Sequence, residues 1–352
     1  MKRTGPRIGT GWGRTILNAP TSRPVVWAAQ AGLAVGSSLV LVQAMGSAEF
    51  ADVGRRIVSL GWPPLLAATA CSLARFAIET ARWRSLVPGR QRIPLAGLLG
   101  ARLSGFAVNF VTPGIQVGGE VLRAVTLERR YGIPRGEAVA SVASDKAVEL
   151  AAAAGAAAIA WPSAAGATAI LSGAGRGAIG TGVLVLALVA GSTLAFIGRP
   201  LAALSGPARA LRRLGAPVRE GLARVPWRNP AMSLWLLASS GSSWLALSVE
   251  IAVVAHASGS AIAPASAASA AALIRLASML IPVPGGLGAQ EAVTVAVLGG
   301  FSVDKSAALA IGLVLHARDF VLTAAGLLCL AVRSLGLPSG KDDRKAVEFA
   351  TD

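Results

Sequence analysis

Twelve ionisable side chains lie in stretches otherwise apolar enough to enter a membrane: Arg75, Glu79, Arg102, Glu120, Asp145, Lys146, Glu149, Glu250, Arg275, Glu291, Arg318 and Asp319. A charge near the bilayer centre costs at least about 3 kcal/mol, so each of them needs a partner or a polar cavity. Some partners follow from spacing, because Arg75–Glu79 at i,i+4 and Lys146–Glu149 at i,i+3 share helix faces. Small residues hold helices together in a membrane without any such charges, so structural pairing alone is a poor account of the whole set. Guanidinium groups grip phosphate through paired N–H donors. Carboxylates beside them can pair with the arginines of an empty site, or carry a proton.

Two of these carboxylates close short motifs of the form P-G-x5-E. Pro113–Glu120 reads P-G-I-Q-V-G-G-E and Pro284–Glu291 reads P-G-G-L-G-A-Q-E, an offset of 171 positions. Each has an arginine upstream, Arg102 or Arg275, and an opposite-charge pair downstream, Asp145–Lys146 or Arg318–Asp319. Neither motif can run as an ordinary helix. Gly118, Gly119, Gly285, Gly286 and Gly288 permit close backbone approach and unusual dihedrals, and Pro113 and Pro284 suit the start of a short helix. Helix N-termini present unpaired N–H groups to an anion. Broken helices at corresponding positions of two halves point to a binding site at the bilayer midplane.

The elements that must position these residues follow from apolar runs and the signs of the loops. Hydrophobic residues are 54% of the chain and charged ones 14%, with mean hydropathy +0.62. Runs of about 20 apolar residues recur, enough to cross roughly 30 Å of hydrocarbon. The expected fold is an all-α polytopic membrane protein with six full transmembrane helices and two helix-broken re-entrant hairpins in an inverted repeat. Spans are expected near 25–44, 63–83, 137–161, 177–197, 230–256 and 306–332, with a charge-balanced loop at 45–62. Arg82, Arg84, Arg90 and Arg92 on one side of 94–112, and Arg123, Arg129, Arg130 and Arg135 on the other, place both flanks in the cytoplasm. Residues 94–112 therefore enter and leave from that side. The 199–228 loop is strongly basic as well, and the second hairpin, within 266–300, opens to the opposite face. Residues 1–24 form a basic cytoplasmic tail, 25–335 the transmembrane domain with repeats at 63–161 and 230–332, and 336–352 a charged cytoplasmic tail.

Net charge +16 does not indicate nucleic-acid binding. The arginines fall mainly in loops, where they orient a membrane protein and attract anionic lipid headgroups. Cys71 and Cys329 lie in apolar spans without metal-ligand spacing, and His256 and His316 are isolated. No metal or cofactor is expected, and no nucleophile–base constellation suggests an enzyme.

The stretches N-F-V-T-P-G-I-Q-V-G-G-E-V-L-R at 109–123, S-V-A-S-D-K at 141–146 and P-V-P-G-G-L-G-A-Q-E at 282–291 resemble the flippase-like family. Its founding members form the transmembrane part of lysylphosphatidylglycerol synthase. The resemblance covers roughly residues 25–335. V-G-G-E-V-L-R and the G-W at 61–62 are also similar to a hopanoid-biosynthesis-associated branch. The resemblance implies a protein that flips or transfers lipid, with Asn109, Pro113, Gly118, Gly119, Glu120, Arg123, Asp145, Pro284, Gly285, Gly286, Gly288 and Glu291 as positions of interest. With 17 residues at 336–352 after the last expected span, no aminoacyl-transferase domain is expected to follow it.

The expected function is lipid movement through a midplane cavity that holds a phosphate-bearing or polyisoprenoid-type cargo. The lipid-binding set is Arg75, Glu79, Arg102, Asn109, Pro113, Gly118, Gly119, Glu120, Arg123, Asp145, Lys146, Glu149, Arg275, Pro284, Gly285, Gly286, Gly288, Glu291, Arg318 and Asp319. The alternative is a scaffold that holds a lipid-biosynthesis enzyme at the membrane, partnered through the 199–228 loop. The expected location is the bacterial cytoplasmic membrane, with both termini in the cytoplasm.

Overall fold

The computed structural model describes residues 35, 47–89, 93–112, 118–160, 229–280 and 284–334. Among them are nine α-helices and one short 3₁₀ turn, with no strand. The helices are α1 (Ser47–Leu60), α2 (Pro63–Leu86), α3 (Leu95–Val111), α4 (Gly118–Tyr131), α5 (Arg135–Ala160), α6 (Pro230–Ala257), α7 (Pro264–Leu280), α8 (Ala289–Gly299) and α9 (Lys305–Ser334). The 3₁₀ turn is Pro284–Gly286.

Proline and short polar side chains punctuate these helices. α2 and α6 each begin with proline in the first turn, where the missing N–H costs nothing. Asn229 caps α6 by accepting hydrogen bonds from the Ala231 and Met232 amides. Asp304 does the same for α9 through the Ala307 amide. α2 ends at Val87, which is extended (φ −88°, ψ 126°) because Pro88 follows it.

Two cores sit at opposite ends of α2. Trp83 and Val87 pack with Leu98, Leu127 and Val142, so the base of the α3–α4 hairpin lies at the C-terminal end of α2. Leu60 and Ala68 pack with Ile251, Val254, Ile274, Leu298 and Ile311, which puts the base of the α7–α8 hairpin at the N-terminal end. The hairpins thus approach one another from opposite ends of the bundle. α2 packs extensively on α6, and α3 on α9. The α3–α9 crossing is close: a Cβ at Gly326 would run into the Leu103 carbonyl, and Ser104 Oγ donates to the Gly326 carbonyl at 3.2 Å.

The protein is a multi-pass membrane protein whose described residues form helices and no strand. Pro230–Ala257 and Lys305–Val332 are long and apolar enough to cross a bilayer. α1 and α2 pass that test only as a pair, and the pair is bent by 74°. α1 also replaces the loop expected at 45–62. Its buried Val53 and Leu60 are seven residues apart and share one helix face, while Asp52, Arg55 and Arg56 put charge on the helix. At 17 residues α3 is about 25 Å long, short of the roughly 30 Å of hydrocarbon. The expected spans 25–44 (apart from residue 35) and 177–197, the basic 199–228 loop and both tails lie outside the described residues.

Candidate functional site

Glycine brings the arms of the first hairpin into contact. A Cβ at Gly119 would collide with the Gly105 carbonyl, and one at Gly105 would lie 2.9 Å from the Gly119 carbonyl. Glycine is needed here for space. Asn109 then ties the tip: its Oδ1 accepts from the Gly119 amide at 2.6 Å, and its Nδ2 donates to Glu120 Oε2 at 3.0 Å.

In the second tip the requirement is dihedral. Gly285, Gly286 and Gly288 take φ of 63°, 70° and 73°, in the left-handed region where a side chain is strained. Gly285 also rests on the Phe110 ring of the first hairpin, since a Cβ there would lie 3.2 Å from Phe110 Cε1. The two tips therefore meet.

A cavity of about 140 Å³ lies where they meet. At roughly 30 Å³ per water it suits a phosphate-sized group, and it falls below the ~300 Å³ of a pocket for a larger ligand. Arg75, Arg102, Arg123, Lys146, Arg275 and Arg318 line it, against Glu79, Glu120, Glu149 and Asp319. Six cations face four carboxylates. Phe76, Phe106, Phe110 and Leu247 form its apolar wall.

Asp145 anchors the network behind this cavity. It is fully buried and accepts from Arg82 Nε at 3.0 Å, Arg102 Nη1 at 2.9 Å and Arg123 Nη2 at 2.7 Å. Arg102 also reaches Glu79 (2.9 Å), which takes Arg75 at 3.0 Å and the Ser243 hydroxyl at 2.8 Å. The Arg123 guanidinium lies 4.0 Å over the Trp83 ring. Four helices (α2, α3, α4 and α5) are joined at one carboxylate. Breaking a buried pair of this kind costs about 3–5 kcal/mol, because a charge is left uncompensated.

The remaining charges form smaller groups. Glu149 accepts from Lys146 at 3.1 Å and from Arg275 at 2.7 Å, which links α5 to α7. Lys146 also stands 3.8 Å from Glu120. Arg318 bonds Glu250 of α6 at 2.5 Å and the Ser72 hydroxyl of α2 at 2.6 Å. Asp319 accepts from Gln290 at 3.3 Å.

Of the residues singled out from sequence, Arg75, Glu79, Arg102, Asn109, Gly119, Glu120, Arg123, Lys146, Glu149, Arg275, Gly285, Gly286, Arg318 and Asp319 line the cavity. Asp145 stands behind it, and Gly288 is the N-cap of α8. Gly118 packs on Val108, and Pro284 opens the 3₁₀ turn. Pro113 lies outside the described residues. Two expected pairings differ. Among the described residues Glu120 bonds Asn109 and stands by Lys146, while Arg102 and Arg123 converge on Asp145. Glu291 turns to His316, away from Arg275.

Arg82 was expected in a cytoplasmic flank and is instead buried on Asp145. Its signal was spacing, for it stands three residues after Glu79 and seven after Arg75 on one helix face. Gln290, Ser72 and Ser243 were also missed. They are ordinary polar residues whose partners lie on distant helices.

The protein family described as the lysylphosphatidylglycerol synthase TM region matches the chain over residues 29–326. The match is to the family and does not single out a hopanoid-associated branch. No curated protein and no solved structure matches the chain.

Proposed function

We propose, from the premise that the chain belongs to the lysylphosphatidylglycerol synthase transmembrane-region family, that it moves lipid across or between membranes by holding a phosphate-bearing headgroup between its two hairpin tips. The single observation behind this is the excess of positive charge around the cavity: with Arg82, Asp145 and Glu250, which stand behind the lining and bond it, included, seven cations stand against six carboxylates. Arginine cannot shed its proton at any relevant pH. A bound anion is the simplest compensation for that excess. Lys146 and Arg275, each 27% exposed, are the cations best placed to turn toward it.

The cavity is of headgroup size, and the acyl chains would remain in the bilayer. A smaller hollow of about 20 Å³, lined by Ala152 of α5 and Ser240, Ser243 and Trp244 of α6, shares Arg75, Glu79, Glu149, Leu247 and Arg275 with the main one. It offers a lateral way out between these helices. The order long helix, 17-residue helix, short helix, long helix occurs twice, in α2–α5 and α6–α9. An inverted repeat about an axis in the membrane plane accounts for that order and for hairpins that approach from opposite ends. We place the protein in the bacterial cytoplasmic membrane with both termini inside, and we assign it no catalytic step. The scaffold alternative rests on the 199–228 loop, and no observation favours it.

Lipid retention tests the headgroup assignment. Native mass spectrometry of the detergent-purified protein titrated with phosphatidylglycerol should show one tightly held lipid, weakened at least tenfold in Arg275→Ala, in which Lys146 still neutralises Glu149. Equal retention by both proteins would remove the basis of the proposal.

A further inference from the structure

One buried titratable pair takes no part in the anion cavity. His316 of α9 and Glu291 of α8 are 3% and 5% exposed, and Nδ1 lies 2.5 Å from Oε1. That distance is an ion-pair contact without the alignment of a hydrogen bond. His316 Nε2 and Glu291 Oε2 have no hydrogen-bond partner among the described residues. The imidazole is flanked by the Phe110 and Phe320 rings, at centroid distances of 5.8 and 5.1 Å. His316 therefore touches both hairpins: the tip of the first through Phe110, and the inner helix of the second through Glu291.

We propose that His316 and Glu291 together form a proton-binding site whose occupancy is coupled to the apposition of the two hairpin tips. With one proton the pair is neutral overall, whether as imidazolium and carboxylate or as imidazole and carboxylic acid. With none, a carboxylate is buried without a counter-charge, and with two, an imidazolium is. Both are strongly disfavoured away from water. The other charges on the elements packed around the pair are engaged elsewhere. Arg75 of α2 bonds Glu79, Arg102 of α3 bonds Glu79 and Asp145, Arg275 of α7 bonds Glu149, Arg318 of α9 bonds Glu250 of α6, Asp319 meets Gln290, and Asp52 and Arg56 of α1 bond each other. α3 presents only Phe106 and Phe110 to the aromatic cluster.

The closed arrangement thus holds one proton. Displacement of Phe110 or of α8 admits water from the cavity that the neighbouring Gln290 lines, the penalty falls, and the proton exchanges with that water. A proton gradient can then bias the position of the tips. The proton site stands on the geometry of the pair alone, whereas its use to drive lipid rests on the function proposed above.

The chain has only two histidines, and His256 is exposed, so a sample labelled with ¹³C-histidine gives two ring signals that a His256→Asn variant assigns. In detergent without added lipid, the His316 ring should hold an N–H proton that exchanges slowly with water, and Glu291→Gln should speed that exchange at least tenfold. In vesicles, fluorescent phosphatidylglycerol should move at rates that differ at least threefold between pH 6 and pH 8 for the wild type and are equal for His316→Gln. A His316 ring proton that exchanges as fast as that of exposed His256, or the same pH response in both proteins, overturns the proposal. A protected His316 proton in a protein that moves no lipid at any pH overturns the coupling to lipid and the proposed function, and leaves the proton site standing.

Discussion

Arg275 of α7 reaches Glu149 of α5 with Nη2 2.7 Å from Oε1, joining the second hairpin to the helix that follows the first. Both side chains line the main cavity and the side hollow, so this pair stands in the wall between the two. Lys146 remains on Glu149 when Arg275 is removed. Arg275→Ala should therefore leave the folded protein intact by size-exclusion chromatography and slow lipid movement at least tenfold. Arg275→Lys, which keeps the charge and loses the planar fork, should fall between them.

Asp145 is the opposite case. Arg82, Arg102 and Arg123 all rest on it, so Asp145→Asn leaves buried guanidinium charge without its counter-ion. The expected loss is about 3–5 kcal/mol. It should appear as a clear drop in the thermal unfolding midpoint in detergent, whereas Lys146→Ala at the next position should leave that midpoint nearly unchanged.

The adjacent glycines of V-G-G-E separate in the same assay. A methyl group at Gly119 strikes the Gly105 carbonyl, which is backbone and cannot swing aside. At Gly118 it meets the Val108 Cγ1 methyl at 3.2 Å, the end of a side chain that can shift. Gly119→Ala should destabilise the protein and open the first hairpin, while Gly118→Ala should be tolerated. The contrast is read from the unfolding midpoints of the two variants.

α1 is fastened to α9 through Asp52, which accepts from the Ser306 hydroxyl. The Ser306 hydroxyl and then Arg56 hold its carboxyl at about 2. The ordinary value for an unfolded aspartate is about 3.9. A depressed carboxylate contributes stability above its unfolded value and loses it as pH falls through the folded one. The α1 clamp should thus be complete above roughly pH 4 and released between about pH 4 and 2. Removing the largest cause with Ser306→Ala should shift that release to higher pH. Proteolysis of α1 followed against pH distinguishes the two proteins.

The parts of this architecture that depend on local chemistry were legible in the sequence. Proline and glycine mark both tips, and the charges that line the cavity stood out against their apolar neighbours. Arg75–Glu79 and Lys146–Glu149 pair as their helical spacing requires. Partner choice across the bundle was not legible. Arg82 and Asp145 are 63 residues apart, and next to Arg84 the first looked like a cytoplasmic flank. His316 looked isolated because Glu291 belongs to another helix. α1 looked like a loop because its charges balance, although Val53 and Leu60 already lay on one face.

The central claim is that the cavity between the tips takes the phosphate-bearing headgroup of a moving lipid. Dithionite quenching of fluorescent phosphatidylglycerol in proteoliposomes measures that movement directly, with a fluorescent glucosylceramide as the headgroup without phosphate. The account predicts faster movement of phosphatidylglycerol than in protein-free vesicles, at least tenfold slower movement in Arg275→Ala, and no acceleration of the ceramide. Equal rates for the two lipids, or for the wild type and Arg275→Ala, would contradict it.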